Sequence, residues 1–378
     1  MVSAWHLLTD INHYDGQATT TMMLNDKRQA QCRTFLHQRG LDPQSLSPLI
    51  QDASFRRYFR LSDTDTDRPI LLMDAPLEFE DVGQFAKIAR HLTAVGLKAP
   101  EIIDFDQEYG FLLLEDFGDD TFTRLIAAGT NDTSLYPLAV DVLIALHSHP
   151  DATAIDLPLY DRNLFIQEAL LLTDWYAPVI RNNTTSTEMR HSYISIWQEI
   201  LDSLPEPAHS LVLRDFHVDN LMRVPPGIGT SGCGLLDFQD AVIGPMAYDL
   251  VSLLEDARRD INPNLVVSMI QRYHEAMPLL EIENFRSWYH VLGAQRHCKV
   301  AGIFIRLLLR DGKSHYIRHI PRVMHLLEQK FNMPELLPLR QWLDFWLPER
   351  NQPLPDFKAD AIRQLIGIDD PESQLPQT

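Results

Sequence analysis

LVLRDFHVDNLM, residues Leu211 to Met222, and its continuation GLLDFQDAVIGPMAYDLVSLL, Gly234 to Leu254, decide how this chain is read. Asp215 is followed five residues later by Asn220, and Asp237 closes the next apolar run. In that order the three side chains supply a base and two hard oxygen ligands. Phosphoryl transfer needs those parts and little covalent chemistry: a carboxylate to orient a hydroxyl, and a divalent cation on the phosphates. Leu211 to Leu213 and Gly234 to Leu236 read as short strands, with turn residues between them. Joined as a hairpin-like ledge, they would present Asp215, Asn220 and Asp237 at one edge. Asp and Asn also populate ordinary turns, where such a spacing arises by chance. A second acid at the end of an apolar strand, and Asp249 at the start of a helical pattern, set this stretch apart.

The chain has 378 residues, enough for one large core or two lobes. Hydrophobic residues make up 45%, the level of a globular chain. Thirty-three basic against 52 acidic side chains leave a net charge of −19. Such a balance argues against a general nucleic-acid or anionic-membrane binder but not against a nucleotide held by local donors. Cys32, Cys233 and Cys298 form neither a disulfide framework nor a metal-type spacing and read as buried thiols. No apolar run has membrane-spanning length, and the first residues lack a secretory pattern, so a cytoplasmic protein is expected. No internal repeat stands out.

RDFHVDN, from Arg214, resembles the catalytic loop of the aminoglycoside phosphotransferase and choline kinase family, which shares the protein-kinase fold. LLDFQD, ending at Asp240, resembles its metal-binding segment, and GPMAYDL, ending at Leu250, the helix start that follows. The family's first loop position is usually His, a packing and hydrogen-bonding residue; here it is Leu213. The resemblance implies an α+β, protein-kinase-like two-lobed fold, with a small antiparallel-sheet N-lobe and a mainly helical C-lobe. It makes Asp215 the catalytic base, Asn220 and Asp237 the Mg²⁺ ligands, and Asp249 a support for the loop, with ATP as phosphoryl donor.

The expected organisation is an extension over residues 1–27, a small lobe over 28–116, a large lobe over 117–350, and a C-terminal helix and tail over 351–378. A helix over 28–39 should end at Gly40 and another should run from Glu78 to Val95. Antiparallel strands lie between them. In the family that region covers the nucleotide phosphates, where Ser54, Arg56 and Arg57 would donate; a solvated strand face reads the two arginines equally well. No glycine-rich phosphate motif is present, and Met73 stands near the place of the usual small-lobe lysine. Glu80 or Asp81 would pair with a basic group near the phosphates or simply begin the helix. The break after Phe111 to Gly118 would be the hinge, where Glu115 and Phe117 bind adenine through their backbone. His147 and His149, on opposite sides of a helix, do not make a metal pair.

Further stretches narrow the resemblance: DASFRRYFRL, LLMDAP, YDRNLFIQE, LTDWY and KVAGIFIRLLLRDGKSHYIRHIPR. They are similar to the anomeric N-acetylmuramate/N-acetylglucosamine kinases of bacterial cell-wall recycling. That subgroup implies ATP-dependent phosphorylation of an amino sugar to its 1-phosphate. Glu168, Asp174, Trp175 and Arg306 become sugar contacts, although Trp175 and Tyr176 also suit a core. His217 would touch substrate or metal, or be a satisfied loop histidine. Two rivals remain: a kinase of an aminoglycoside, choline or amino acid, and a nucleotide-binding regulator without turnover. A metal-dependent hydrolase would need His or Cys clusters that the sequence lacks. Oligomeric state is not legible.

Overall fold

The computed structural model describes residues 26–49, 55–61, 69–225 and 227–367, so Ser54 and most of the N-terminal extension lie outside the described residues. The chain divides into two units. One runs to Asp156 and includes Leu213–Ala241; the other comprises Leu157–Val212 and Val242 onward.

The first unit opens with α1 (Asp26–His37), after which Gly40 takes a left-handed turn at φ +70°. Strands β1 (Leu46–Pro48), β2 (Arg57–Leu61) and β3 (Ile70–Asp74) follow, then α2 (Val82–Ala94), β4 (Ile102–Asp106) and β5 (Phe111–Glu115). The five strands make one antiparallel sheet in the order β1-β2-β3-β5-β4. Alternation sets one core face: Ile70 and Leu72 of β3, with Phe111 and Leu113 of β5, pack with Cys32, Phe35 and Leu36 of α1. Phe111 to Leu114 are all buried, so β5 is covered on both faces. Helix α2 starts later than its periodicity suggests. Asp81 caps it by accepting from the Gly83 and Gln84 amides at 2.8 and 3.1 Å, and that leaves Glu78 to Glu80 outside the helix. Helices α3 (Phe122–Ala127) and α4 (Asp132–Ser148) complete this half of the unit.

The second unit is mainly helical. It contains α5 (Arg162–Ala169), a π-helical stretch (Leu172–Tyr176), α6 (Ala177–Arg181) and α7 (Thr187–Ser203). Strand β6 (His209–Val212) ends its first part. The chain then supplies β7 (Leu221–Arg223) and β8 (Cys233–Leu235) to the first unit and returns with β9 (Val242–Pro245). Leu211 and Val212 therefore do not pair with Gly234 and its neighbours: β6 pairs with β9, and the hairpin is β7 with β8. The expected ledge is two nested antiparallel pairs.

Helices α8 (Ala247–Leu254), α9 (Pro263–Ala276), α10 (Ile282–Asp311), α11 (Ile320–Lys330), α12 (Leu337–Trp346) and α13 (Ala359–Ile366) follow. The long α10 packs against α5, the π-helical stretch, α8 and α11. Its two glycines lie at close approaches, and at Gly302 the neighbour is backbone. A Cβ on Gly302 would lie 2.1 Å from the Leu171 carbonyl, and one on Gly293 would meet Lys330 Cε at 2.8 Å. Beside Gly293, Glu255 accepts from His297 at 2.8 Å and from Lys330. Burial alone would raise the Glu255 carboxyl, but Lys330 and His297 outweigh it and hold it at about 2. All three cysteines are buried, and burial pushes the Cys233 and Cys298 thiols up to about 12. Among the described residues no helix is long and apolar enough to cross a membrane.

The second unit should lose stability in two acid steps. Burial, reinforced by Lys330, lowers His290 from 6.5 to about 4, and burial with Arg318 does the same to His319. The unfolded chain binds those protons below 6.5 and the folded chain resists them until about 4. Their contribution is whole above 6.5 and is lost as pH falls to about 4. That of Glu255 is whole above 4.5 and is lost as pH falls towards 2. Urea unfolding midpoints across this range should fall continuously, and His290→Gln should flatten the upper step.

Candidate active site

The loop after β6 turns sharply. Arg214 has φ +71°, a left-handed conformation that a non-glycine residue holds only when its surroundings impose it. The next residue, Asp215, is 3% exposed. A short 3₁₀ turn over Val218–Asn220 then leads into β7. The Asn220 amide nitrogen donates to the Asp215 carbonyl at 2.9 Å and lies 3.4 Å from Asp237 Oδ2. Asp237, just past β8, is also left-handed at φ +57°, which an aspartate tolerates better than most residues. The structure thus brings Asp215, Asn220 and Asp237 together, all buried, through one side-chain amide. Asn220 is further fixed by its backbone carbonyl, which accepts from Leu236 at 3.0 Å.

His217 is 1% exposed, 3.5 Å from the Asn220 amide and 3.7 Å from Asp219, which also accepts from Thr123. His217 thus sits in the same buried group as Asn220.

Arg56 supplies the positive charge. Its guanidinium donates to Asp237 Oδ1 at 2.7 Å and to Gln239 Oε1 at 2.6 Å, and its Nε lies 3.4 Å from Glu80. Gln239 closes the group by donating to the same Asp237 oxygen at 3.0 Å and to Asp240 at 2.9 Å. Burial opposes the charge on Arg56, but Tyr58, Asp237 and Glu80 together raise it above its ordinary value. Burial raises Glu80, and Arg56 offsets that only in part. An aromatic pair flanks the ion pair: Phe55 stacks on Phe79 at 4.0 Å between ring centroids. Arg57 points elsewhere, as the next residue on a strand must, and pairs with buried Asp74 at 2.6 Å alongside Arg28. Met73 is buried at 1% exposure, so Arg56 is the cation that stands by the metal-type acid.

At the end of β5, the Glu115 carboxylate is held by Lys98 at 2.7 Å and its amide donates to Glu101 at 3.0 Å. The Asp116 amide goes to Pro69, also at 3.0 Å. The Phe117 ring covers Gly234, where a Cβ would come within 2.6 Å of it.

The remaining expected site residues lie in the second unit. Asp249 is fully buried on α8. Glu168 is buried too: its carboxylate accepts from Lys299 at 2.7 Å and from the Tyr160 hydroxyl at 2.7 Å. Lys299 also reaches the Tyr248 hydroxyl at 3.1 Å, and Gln295 donates to Tyr160 and to the Phe165 carbonyl, each at 3.0 Å. Asp174 accepts from Arg190 at 3.0 Å. Trp175 is half-buried, whereas Tyr176 is a core residue whose hydroxyl donates to the Arg350 carbonyl at 3.1 Å. Arg306 is 8% exposed on α10. Sequence reasoning missed Gln239 altogether. Its one signal is its place two residues beyond Asp237.

The sequence profile described as "Phosphotransferase enzyme family" matches residues 45–283, more than half of the chain. The chain belongs to this family. It is 33% identical over 359 residues to an N-acetylmuramate/N-acetylglucosamine kinase of Caulobacter vibrioides, covering 86% of this chain and 99% of that one. With the protein of the same name from Pseudomonas aeruginosa, identity is 36% over 312 residues, covering 80% and 88%. Among solved structures, a choline/ethanolamine kinase family protein from Mesorhizobium loti superposes with a TM-score of 0.56 at 14% identity, covering 85% of this chain and all of that one. A putative aminoglycoside phosphotransferase from Ralstonia eutropha gives 0.57 at 14% identity, covering 80% and 96%. These likenesses show the protein-kinase-like α+β fold.

Removing Arg56 from its cluster should be costly. Arg56→Met would leave the buried Asp237 and the half-buried Glu80 without it, and unfolding free energy should fall by about 3–5 kcal/mol in metal-free urea titrations. Asp237→Asn in that background should restore part of the loss.

Proposed function

We propose that this kinase transfers the terminal phosphoryl group of ATP to the anomeric hydroxyl of N-acetylmuramate, N-acetylglucosamine or both, giving the sugar 1-phosphate used in peptidoglycan recycling. The observation that carries the reading is the Asn220 amide linking the Asp215 loop to Asp237. The relatives that bear this activity in their names match most of the chain, which supports the choice of sugar.

The donor set fits a magnesium ion. Asp237 brings carboxylate oxygens and Asn220 a side-chain amide whose nitrogen lies 3.4 Å from Asp237 Oδ2, and among the described residues no group of His, Cys, Asp and Glu competes for a metal. Magnesium takes one or two such ligands and leaves the rest to phosphate and water. When bound there it would draw charge from the triphosphate.

In this mechanism Asp215 accepts a hydrogen bond from the anomeric hydroxyl and takes its proton late, as the new oxygen–phosphorus bond forms and the bond from the terminal phosphorus to the bridging oxygen breaks, releasing ADP. An anomeric hydroxyl is more acidic than an ordinary alcohol, so a weak base suffices. The left-handed turn at Arg214 fixes the base before substrate arrives. Arg56, positioned by Glu80 and Gln239, places donors towards the phosphates and takes the role that a small-lobe lysine has elsewhere. Phe117 offers backbone groups to adenine. Asp174, Trp175 and Arg306 are the sugar contacts; Glu168 serves the sugar side indirectly, by holding Lys299 and Tyr160 in place. Asp249 supports the catalytic loop.

Asp215→Asn should fold with unchanged circular dichroism while turnover drops by about 10²- to 10⁴-fold. Phosphorus NMR of the product from each N-acetyl sugar should show a sugar 1-phosphate. Phosphate on another hydroxyl, or transfer only to aminoglycosides or choline, would refute the reading.

A further inference from the structure

Resting on the sugar-kinase reading, we propose that Arg306 is the receptor for the lactyl carboxylate of N-acetylmuramate and sets the preference between the two sugars. The two sugars differ in one group. N-acetylmuramate carries a lactyl ether on its ring, hence a negative charge that N-acetylglucosamine lacks. A protein that favours the first needs a cation held out of water with its donors unspent.

Arg306 meets that description. It is 8% exposed, its Nε is enclosed without a hydrogen-bond partner, and no ion pair holds it among the described residues. Asp311, the acid that acts on it, is already gripped by Arg310 through two contacts at 2.6 and 2.8 Å. Three other buried cations of this unit have acids against them. Lys299 has Glu168, Lys330 has Glu255, and Arg350 has Glu328 and Asp344. Burial, with repulsion from Arg310, lowers the Arg306 guanidinium to about 10, so it is still charged at neutral pH.

Its position on α10 adds direction. Gln295, Lys299, Gly302 and Arg306 recur at helical spacing and share one face. Gly302 touches the Leu171 carbonyl, so this face is pressed onto the segment that carries the π-helical turn with Asp174 and Trp175. π-turns of this kind concentrate at functional sites. Arg306 lies one turn beyond that contact. Its planar fork matches a carboxylate at two points, which a lysine cannot do.

The test compares the affinities of the two sugars by calorimetry, together with the KM and kcat of each. The parent should bind N-acetylmuramate more tightly. Arg306→Met should raise its KM by about 10- to 100-fold with a smaller change in kcat, so that the ratio of the two affinities falls towards one. Arg306→Lys should recover only part of the ratio. The methyl ester of N-acetylmuramate, tested on the parent protein, should lose a comparable factor even if the variants fail to fold. A ratio unchanged by Arg306→Met, an equal loss for both sugars, or an ester bound as well as the acid would overturn the assignment. If the parent phosphorylates both sugars without preference, Arg306 alone is reassigned; if it neither binds nor phosphorylates either, the sugar-kinase reading falls too.

Discussion

A carboxylate in a nearly dry site has to be answered by positive charge, and Asp237 is answered by Arg56. Much of the first unit follows from that pair. Arg56 must arrive at the head of β2 with its side chain turned inward, so Arg57 is turned the other way and needs its own acid, Asp74. Glu80 must stay outside α2 to meet the guanidinium, and Asp81 makes that possible by starting the helix after it. Gln239 orients both partners at once, donating to Asp237 while accepting from Arg56. A charge-assisted network of this kind is stable only when every member is satisfied, which explains why three separate chain segments converge on it.

The second unit solves a related problem along one helix. A buried polar stripe on α10 runs from Gln295 through Lys299, and each member is tied to α5 or to a neighbouring tyrosine. On another side of the same helix, His297 and Lys330 of α11 surround Glu255. These groups lock helices that hydrophobic contact alone would leave free to slide. The close approach at Gly302 does the same at backbone level.

The convergence of Asp215, Asn220 and Asp237 was legible because the proposed chemistry demands particular residue types at particular spacings. Asp215, Asn220 and Asp237 could be read from one stretch. Most helices were legible from periodicity; α11, for instance, runs over the residues that its apolar pattern marks. What the sequence hid was pairing over distance. Nothing local says that β6 joins β9 while β7 joins β8, because both partners of each pair are equally apolar. Gln239 was hidden for a different reason: a neutral amide matters only through geometry, and only coordinates reveal that it faces both Arg56 and Asp237. The same holds for Arg57, which composition could not separate from Arg56. One position along a strand sends the two to different acids.

The order of the chain carries a cost in time. The first unit takes most of its residues from before Asp156, yet Asp215, Asn220 and Asp237 reach it only after the chain has built the opening helices of the second. Its sheet can assemble early on the ribosome, but β7, β8 and the acid that Arg56 requires emerge much later. Until the segment up to Ala241 has been synthesised, the nascent small sheet holds Arg56 and Glu80 without Asp237. Neither unit is therefore a cassette that could be cut out at one joint and passed to another protein. Inheritance, like folding, has to take the two together.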